Sequence, residues 1–231
     1  MPRNCLTCQY QLSKSRRRYG RQKEGCVNNM TAPKYSMAFT TGALFHHESV
    51  KLAEIYTSKQ QWDKVRSAVV AENLIQARTT NTLKRVTSEI TSRLKTLNEQ
   101  EIKFLAEAEY GEQSYILWLA ICRRYTFIGD FAVDVVHSNF VSLKNTVNYA
   151  DYDSFFNKKE EWHSELDRIA PATKIKLRQI LFKIMQEAKV LDKHNAIIPM
   201  VPGTAFRELL AGLQQREIMF FPVSEQIWRA S

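Results

Sequence analysis

From residue 43 onward, apolar positions recur every three to four residues, the spacing of one face of an α-helix. Over 48–59, Val50, Ala53 and Tyr56 or Thr57 share a side, and Trp62, Val65, Val69 and Leu74 stripe the next helix, 61–74. Thr79 or Thr80 is placed to cap a third, in which Leu83, Val86, Ile90, Leu94 and Leu97 carry the repeat. Asn98 can cap a fourth over 99–109, ended at Gly111. Helices are expected next at 112–128 and 130–142, the second opening at Gly129 and Asp130. Beyond the polar stretch 142–153, the pattern predicts a short helix at 153–162 and a helical piece at 164–170. A long helix over 174–191, capped by Thr173, turns Leu177, Leu181, Ile184, Ala188 and Leu191 inward, and a last helix spans 205–215. The expectation is an all-α, compact multi-helix globular protein, with lobes 30–150 and 151–231 meeting at the 142–153 connection.

Composition agrees. Of 231 residues, 44% are hydrophobic and 25% charged, which excludes a disordered or fibrous chain. Seven Gly and six Pro are too few for a many-stranded β architecture or a Gly-rich phosphate loop. The most apolar run, YILWLAIC at 115–122, ends at Arg123 and Arg124. A membrane span needs about 20 residues, so no membrane association and a cytoplasmic location are expected. Three of the four cysteines, Cys5, Cys8 and Cys26, fall in the first 29 residues. Without a fourth ligand they make a poor zinc site, and no metal or cofactor is predicted.

Charge is unevenly spread. The formal net charge is +9, of which residues 1–29 hold +6. That basic stretch lacks helical periodicity and reads as a disordered or non-native extension ahead of Met30. Residues 59–95 carry +5, 99–167 carry −7 and 168–193 carry +5. Two basic blocks around an acidic one favour a polyanionic partner.

Motifs for catalysis are lacking. The chain has no phosphate-binding GxxxxGK[ST], no GxGxxG and no HExxH, and no small-molecule substrate or enzymatic activity is expected. His46, His47 and Glu48 are adjacent, so on a helix they diverge by about 100° and cannot chelate together. Glu187 and Lys189 read as surface charge, and Asp151 and Asp153 as carboxylates at a helix start. Arg123 and Arg124 are expected to pair with Asp130 or Asp134.

The basic blocks are more informative. After a helix at 61–74 and a turn of about four residues, Arg78, Thr79, Thr80, Asn81, Thr82, Lys84, Arg85 and Ser88 occupy the outward side of the third helix. Short hydroxyls at a helix N-terminus followed by cations suit a helix-turn-helix (about 61–97) entering a major groove. The second block repeats the outline over 163–193. There Thr173, Lys174, Lys176, Arg178, Gln179 and Lys183 follow a break at Pro171, and Lys176, Gln179 and Lys183 share one face. No acid lies between 168 and 186, so these cations are expected to be unpaired on their own helix. The loop DKHNAIIPMVPG (192–203) could form a small wing.

The segments SMAFTTGALFHHES (36–49), RTTNTLKRVTSEITSRLKTL (78–97), LWLAICRRYTFIGDF (117–131), DYDSFF (151–156) and ATKIKLRQILFKIMQEA (172–188) together resemble the BrxA family of bacteriophage-exclusion (BREX) defence systems. The likeness spans about 36–228. It implies a cytosolic all-helical protein with helix-turn-helix elements that binds double-stranded DNA. It also implies working beside a methyltransferase, an ATPase and a phosphatase-type component. The expected function is therefore non-enzymatic binding of duplex DNA, mostly through phosphates. The alternatives are a scaffold that docks other defence subunits and an RNA-binding helical protein.

Overall fold

A computed structural model describes residues 34–224; the extension 1–29 lies outside them. Residues 34–45 form a non-helical segment whose Tyr35, Phe39 and Leu44 are buried. It then forms α1 (His46–Lys59), α2 (Trp62–Glu72), α3 (Thr80–Leu94), α4 (Glu99–Glu107) and α5 (Tyr110–Arg124). Next, α6 (Thr126–Phe131) runs through a π-helical turn (Ala132–His137) into α7 (Ser138–Val141). Finally come α8 (Tyr149–Glu160), α9 (Ser164–Asp167), α10 (Pro171–Glu187), α11 (Thr204–Ala211) and α12 (Gln215–Ile218). Among the described residues there is no strand, only isolated bridges joining Thr146 to Ala196 and Leu191 to Ile197. The fold is all-α.

Local chemistry explains most boundaries. Thr79 is extended and its hydroxyl accepts from the Thr82 N–H at 3.2 Å, which starts α3 where a cap was expected. Asn98 and Glu101 form a reciprocal capping box for α4, and Asn148 and Asp151 do the same for α8.

Three expectations fail. Gly129 and Asp130 lie inside α6 rather than opening a helix, because Gly129 serves close packing. A Cβ there would sit 3.0 Å from the Cys122 carbonyl oxygen and 3.2 Å from the Phe220 ring. Thr173 does not cap α10. Pro171 occupies its first turn, where a missing N–H costs nothing, and Thr173 is an exposed residue of that turn. Asp153 is not a cap either; it reaches Arg178.

One apolar core runs through these elements, including Trp118, Phe127 and Phe131 before the 142–153 connection and Tyr152, Phe156, Leu177 and Phe182 after it. Phe127 meets Phe155 edge-on at 5.2 Å and Phe156 at 5.7 Å, and Trp118 donates its indole N–H to the Phe220 carbonyl. YILWLAIC is the buried centre of α5. Among the described residues no helix is long and apolar enough to cross a membrane.

Candidate nucleic-acid interface

Most cations of the first basic block are exposed. α3 buries Leu83, Val86, Thr87, Ile90 and Leu94, which turns Asn81, Lys84, Arg85 and Ser88 outward. Arg78, Thr79 and Thr80 are also exposed at its start. Thr82 is half-buried, and its hydroxyl accepts from Thr79 at 3.0 Å, so it belongs to the cap more than to the open face. The connection from α2 has seven residues, 73–79, rather than about four as expected from the motif. It is nonetheless well fixed. Asn73 and Gln76 take left-handed conformations, and the Asn73 amide bonds both the N–H and the carbonyl of Ala77, at 2.9 and 3.1 Å.

The structure adds cations that the motif reading left out. Arg66 of α2 and Lys84 of α3 line one groove with Asp63, Ser67, Val70, Ala71 and Thr87. Lys59 and Lys64 continue the surface along an adjoining depression. None of Lys59, Lys64, Arg66, Arg78, Lys84 and Arg85 forms an ion pair among the described residues. Lys64 and Arg66 lay within the +5 block, and their one visible signal was alternation with Val65 and Val69, which points them outward. Arg93 counted toward that block too, but it is 3% exposed, bonds Glu89 at 2.8 Å and donates to the Ala43 carbonyl. Its charge is internal.

The second block differs. Lys176 and Gln179 are exposed, but Lys174 reaches Glu160 at 2.5 Å and lies over the Phe156 ring. Arg178 pairs with Asp153 at 2.5 Å and covers the Tyr149 ring. Lys183 stands 3.7 Å from Glu187, one turn on along α10, so the expectation of no partner on its own helix fails. The preceding α9 is a single turn. The 191–198 loop closes on Asp192, whose carboxylate accepts from His194 and Ala196.

Other singled-out residues serve the fold. Arg123 bonds Glu101 and Glu217 rather than Asp130 or Asp134, and burial, which alone would lower its pKa, is outweighed by those carboxylates, which raise it. Arg124 makes no ion pair among the described residues and lies over Tyr125. Asp130 instead accepts from the Tyr35 hydroxyl and pairs with Lys159 and Arg216. His46 stacks on Tyr110 at 4.0 Å, with burial holding its pKa below the usual value. Glu187 is a structural acceptor for the Leu44 N–H at 2.6 Å, not a free surface charge. Among the described residues no three His, Cys, Asp or Glu side chains gather as a metal site.

A sequence profile of the BrxA family matches residues 33–213. The chain is 26% identical over 151 residues to the BREX protein BrxA of Escherichia coli O9:H4 (strain HS), covering 65% of this chain and 71% of that one. It is 24% identical over 132 residues to the BREX protein BrxA of Bacillus cereus (strain H3081.97), covering 57% and 66%. In fold it is similar to the crystal structure of an uncharacterized protein from Magnetospirillum magneticum. The TM-score is 0.70 at 18% identity, covering 82% of this chain and all of that one. The family pattern spans most of the described fold, including the whole α2–α3 surface, and the chain belongs to the BrxA family of BREX defence systems.

Proposed function

We propose that the protein acts in phage defence by binding double-stranded DNA, without catalysing a reaction, through the α2–α3 surface. The observation that carries this reading is the set of six cations at Lys59, Lys64, Arg66, Arg78, Lys84 and Arg85, all free of ion pairs among the described residues. A cation already held by a carboxylate must lose that partner before neutralising a phosphate; these need not. The N-terminus of α3 adds the free N–H groups of its first turn beside the Thr79 hydroxyl, an arrangement suited to a phosphate oxygen. On α3, Asn81 and Arg85 are the exposed side chains of the types that read base edges bidentately, fewer than the cations of this surface that are available to phosphates. Binding is therefore mostly to the backbone and weakly selective.

The second block contributes less, because Lys174 and Arg178 are committed to Glu160 and Asp153. Lys176, Gln179 and Lys183 remain able to contribute. The test is anisotropy with a labelled DNA duplex of about two turns against the full chain. Lys84→Ala/Arg85→Ala should weaken binding about ten-fold or more, given two lost phosphate contacts. Lys176→Ala/Lys183→Ala should weaken it less. Equal binding by the first variant and the parent would remove this assignment, and stronger competition by duplex RNA than by duplex DNA would change the ligand.

A further inference from the structure

Helix α2 carries a pattern that its charge alone does not explain. Val65 and Val69 are buried, and at about 100° per residue the side opposite them holds Asp63, Ser67 and Ala71, all exposed. These three recur every fourth residue. Each lines both the α2–α3 groove and the depression beside it, so together they form the crest between the two. The crest has no Lys or Arg. Cations flank it instead, Arg66 and Lys84 on one side and Lys59 and Lys64 on the other. Asp63 shares these walls with four cations yet forms an ion pair with none of them. A carboxylate so placed repels phosphate, and its position in the first turn of α2 brings only a modest gain from the helix dipole. Phosphate contact gives no reason for an acid, a hydroxyl and a methyl group along the crest.

We infer that the α2 crest faces base edges in the major groove and that Asp63 selects cytosine there; this rests on the duplex-binding reading proposed above. The dimensions fit. A helix with its side chains is about 10–12 Å across, and the major groove is about 12 Å wide. A helix entering crest first brings its two cationic flanks to the two phosphate strands and its crest to the bases between them. Each crest residue then has a match. A carboxylate accepts from the cytosine N4 amino group, a hydroxyl serves any pair, and an Ala methyl meets the thymine methyl. From Asp63 to Ala71 the helix rises about 12 Å, at about 1.5 Å per residue, which spans roughly three to four base pairs. The acid that the backbone would repel thus faces the one class of donor the groove offers.

The test selects bound sequences from duplexes with about ten randomised base pairs, one helical turn, using the full chain and its Asp63→Ala, Asp63→Asn and Arg85→Ala variants. Anisotropy then measures the enriched duplex against copies changed at single pairs. The parent should enrich cytosine at one position, and an A·T pair there should weaken binding about five-fold or more. Asp63→Ala should erase that preference and leave the others. Asp63→Asn should move it to adenine, whose N6 and N7 an amide engages together. Arg85→Ala should keep it, which separates it from a guanine read by α3. Asp63 is exposed, so thermal unfolding of both its variants should stay near that of the parent. Selected sequences without base preference, or a preference that survives in Asp63→Ala, overturn the proposal and leave duplex binding in place. Tighter binding of Asp63→Asn to every duplex alike also overturns it, making the carboxylate a brake on phosphate contact. A parent that binds no duplex removes both this proposal and the function it rests on.

Discussion

Arg123→Ala removes a side chain that ties α5 to both α4 and α12. Its guanidinium spends every N–H. Nη1 donates to Glu101 at 2.7 Å and to the Thr96 carbonyl at 3.1 Å, and Nη2 donates to Glu101 at 3.0 Å and Glu217 at 3.3 Å. Nε completes the set to Glu217 at 2.6 Å. The consequence falls on Glu101, whose side chain is 2% exposed and would keep only the Asn98 N–H as a partner. Breaking a buried pair from one side costs about 3–5 kcal/mol. Arg123 is itself 18% exposed, so water can partly replace it and the lower figure, about 3 kcal/mol, applies. For a chain of this size that is a fall in Tm of roughly 6–12 °C. Arg124→Ala is the matched control. It loses a 3.3 Å contact with Ser92 and the face of Tyr125, about 1 kcal/mol or less. Urea unfolding followed by far-UV circular dichroism, with both variants at equal concentration, gives the two losses. An Arg123→Ala loss no larger than that of Arg124→Ala would show that buried Glu101 does not depend on Arg123.

Further predictions concern Tyr35, Glu165 and the cap of α4. Tyr35→Phe removes the hydroxyl that donates to Asp130, but leaves Lys159 and Arg216 on that carboxylate, so the urea midpoint should drop by the equivalent of about 1–2 kcal/mol. Glu165 titrates below its ordinary value: burial opposes this, but the Tyr35 N–H and His163 outweigh it. A depressed carboxyl pKa adds stability above the unfolded value, about 4.3, and loses it as pH falls through the folded one. Glu165→Gln should therefore shrink the stability lost between neutral pH and about pH 3 in urea titrations. Asn98→Ala removes the side-chain half of the α4 capping box, leaving the backbone N–H of residue 98 on Glu101, and should cost about 1 kcal/mol in the same assay.

How much the sequence discloses depends on the range of the interaction. Helical stripes and the Thr79 and Asn98 caps were legible because their partners lie within four residues. Gly129 was not, since the reason for it is Phe220 and the Cys122 carbonyl, contacts visible once α6 has folded back. The partners of Arg123 lie 22 and 94 residues away, and nearer acids misdirected the reading to Asp130 and Asp134. The basic blocks show the same limit. Counting gave 59–95 and 168–193 equal charge, yet Asp153 and Glu160 answer Arg178 and Lys174 from another helix. Arg66 joined Lys84 because α2 packs against α3, a proximity that spacing along the chain does not show.

In the proposed function, the unpaired cations of α2 and α3 neutralise DNA phosphates. Log affinity for a DNA duplex should fall with log salt by about 0.9 for each phosphate neutralised. The most direct measurement is that slope for the full chain and for Lys64→Ala/Arg66→Ala/Lys84→Ala/Arg85→Ala. These four side chains are exposed, so the variant should fold with nearly parental stability. Its slope should be shallower by about 3–4. A folded variant whose slope and affinity match the parent would contradict the claim.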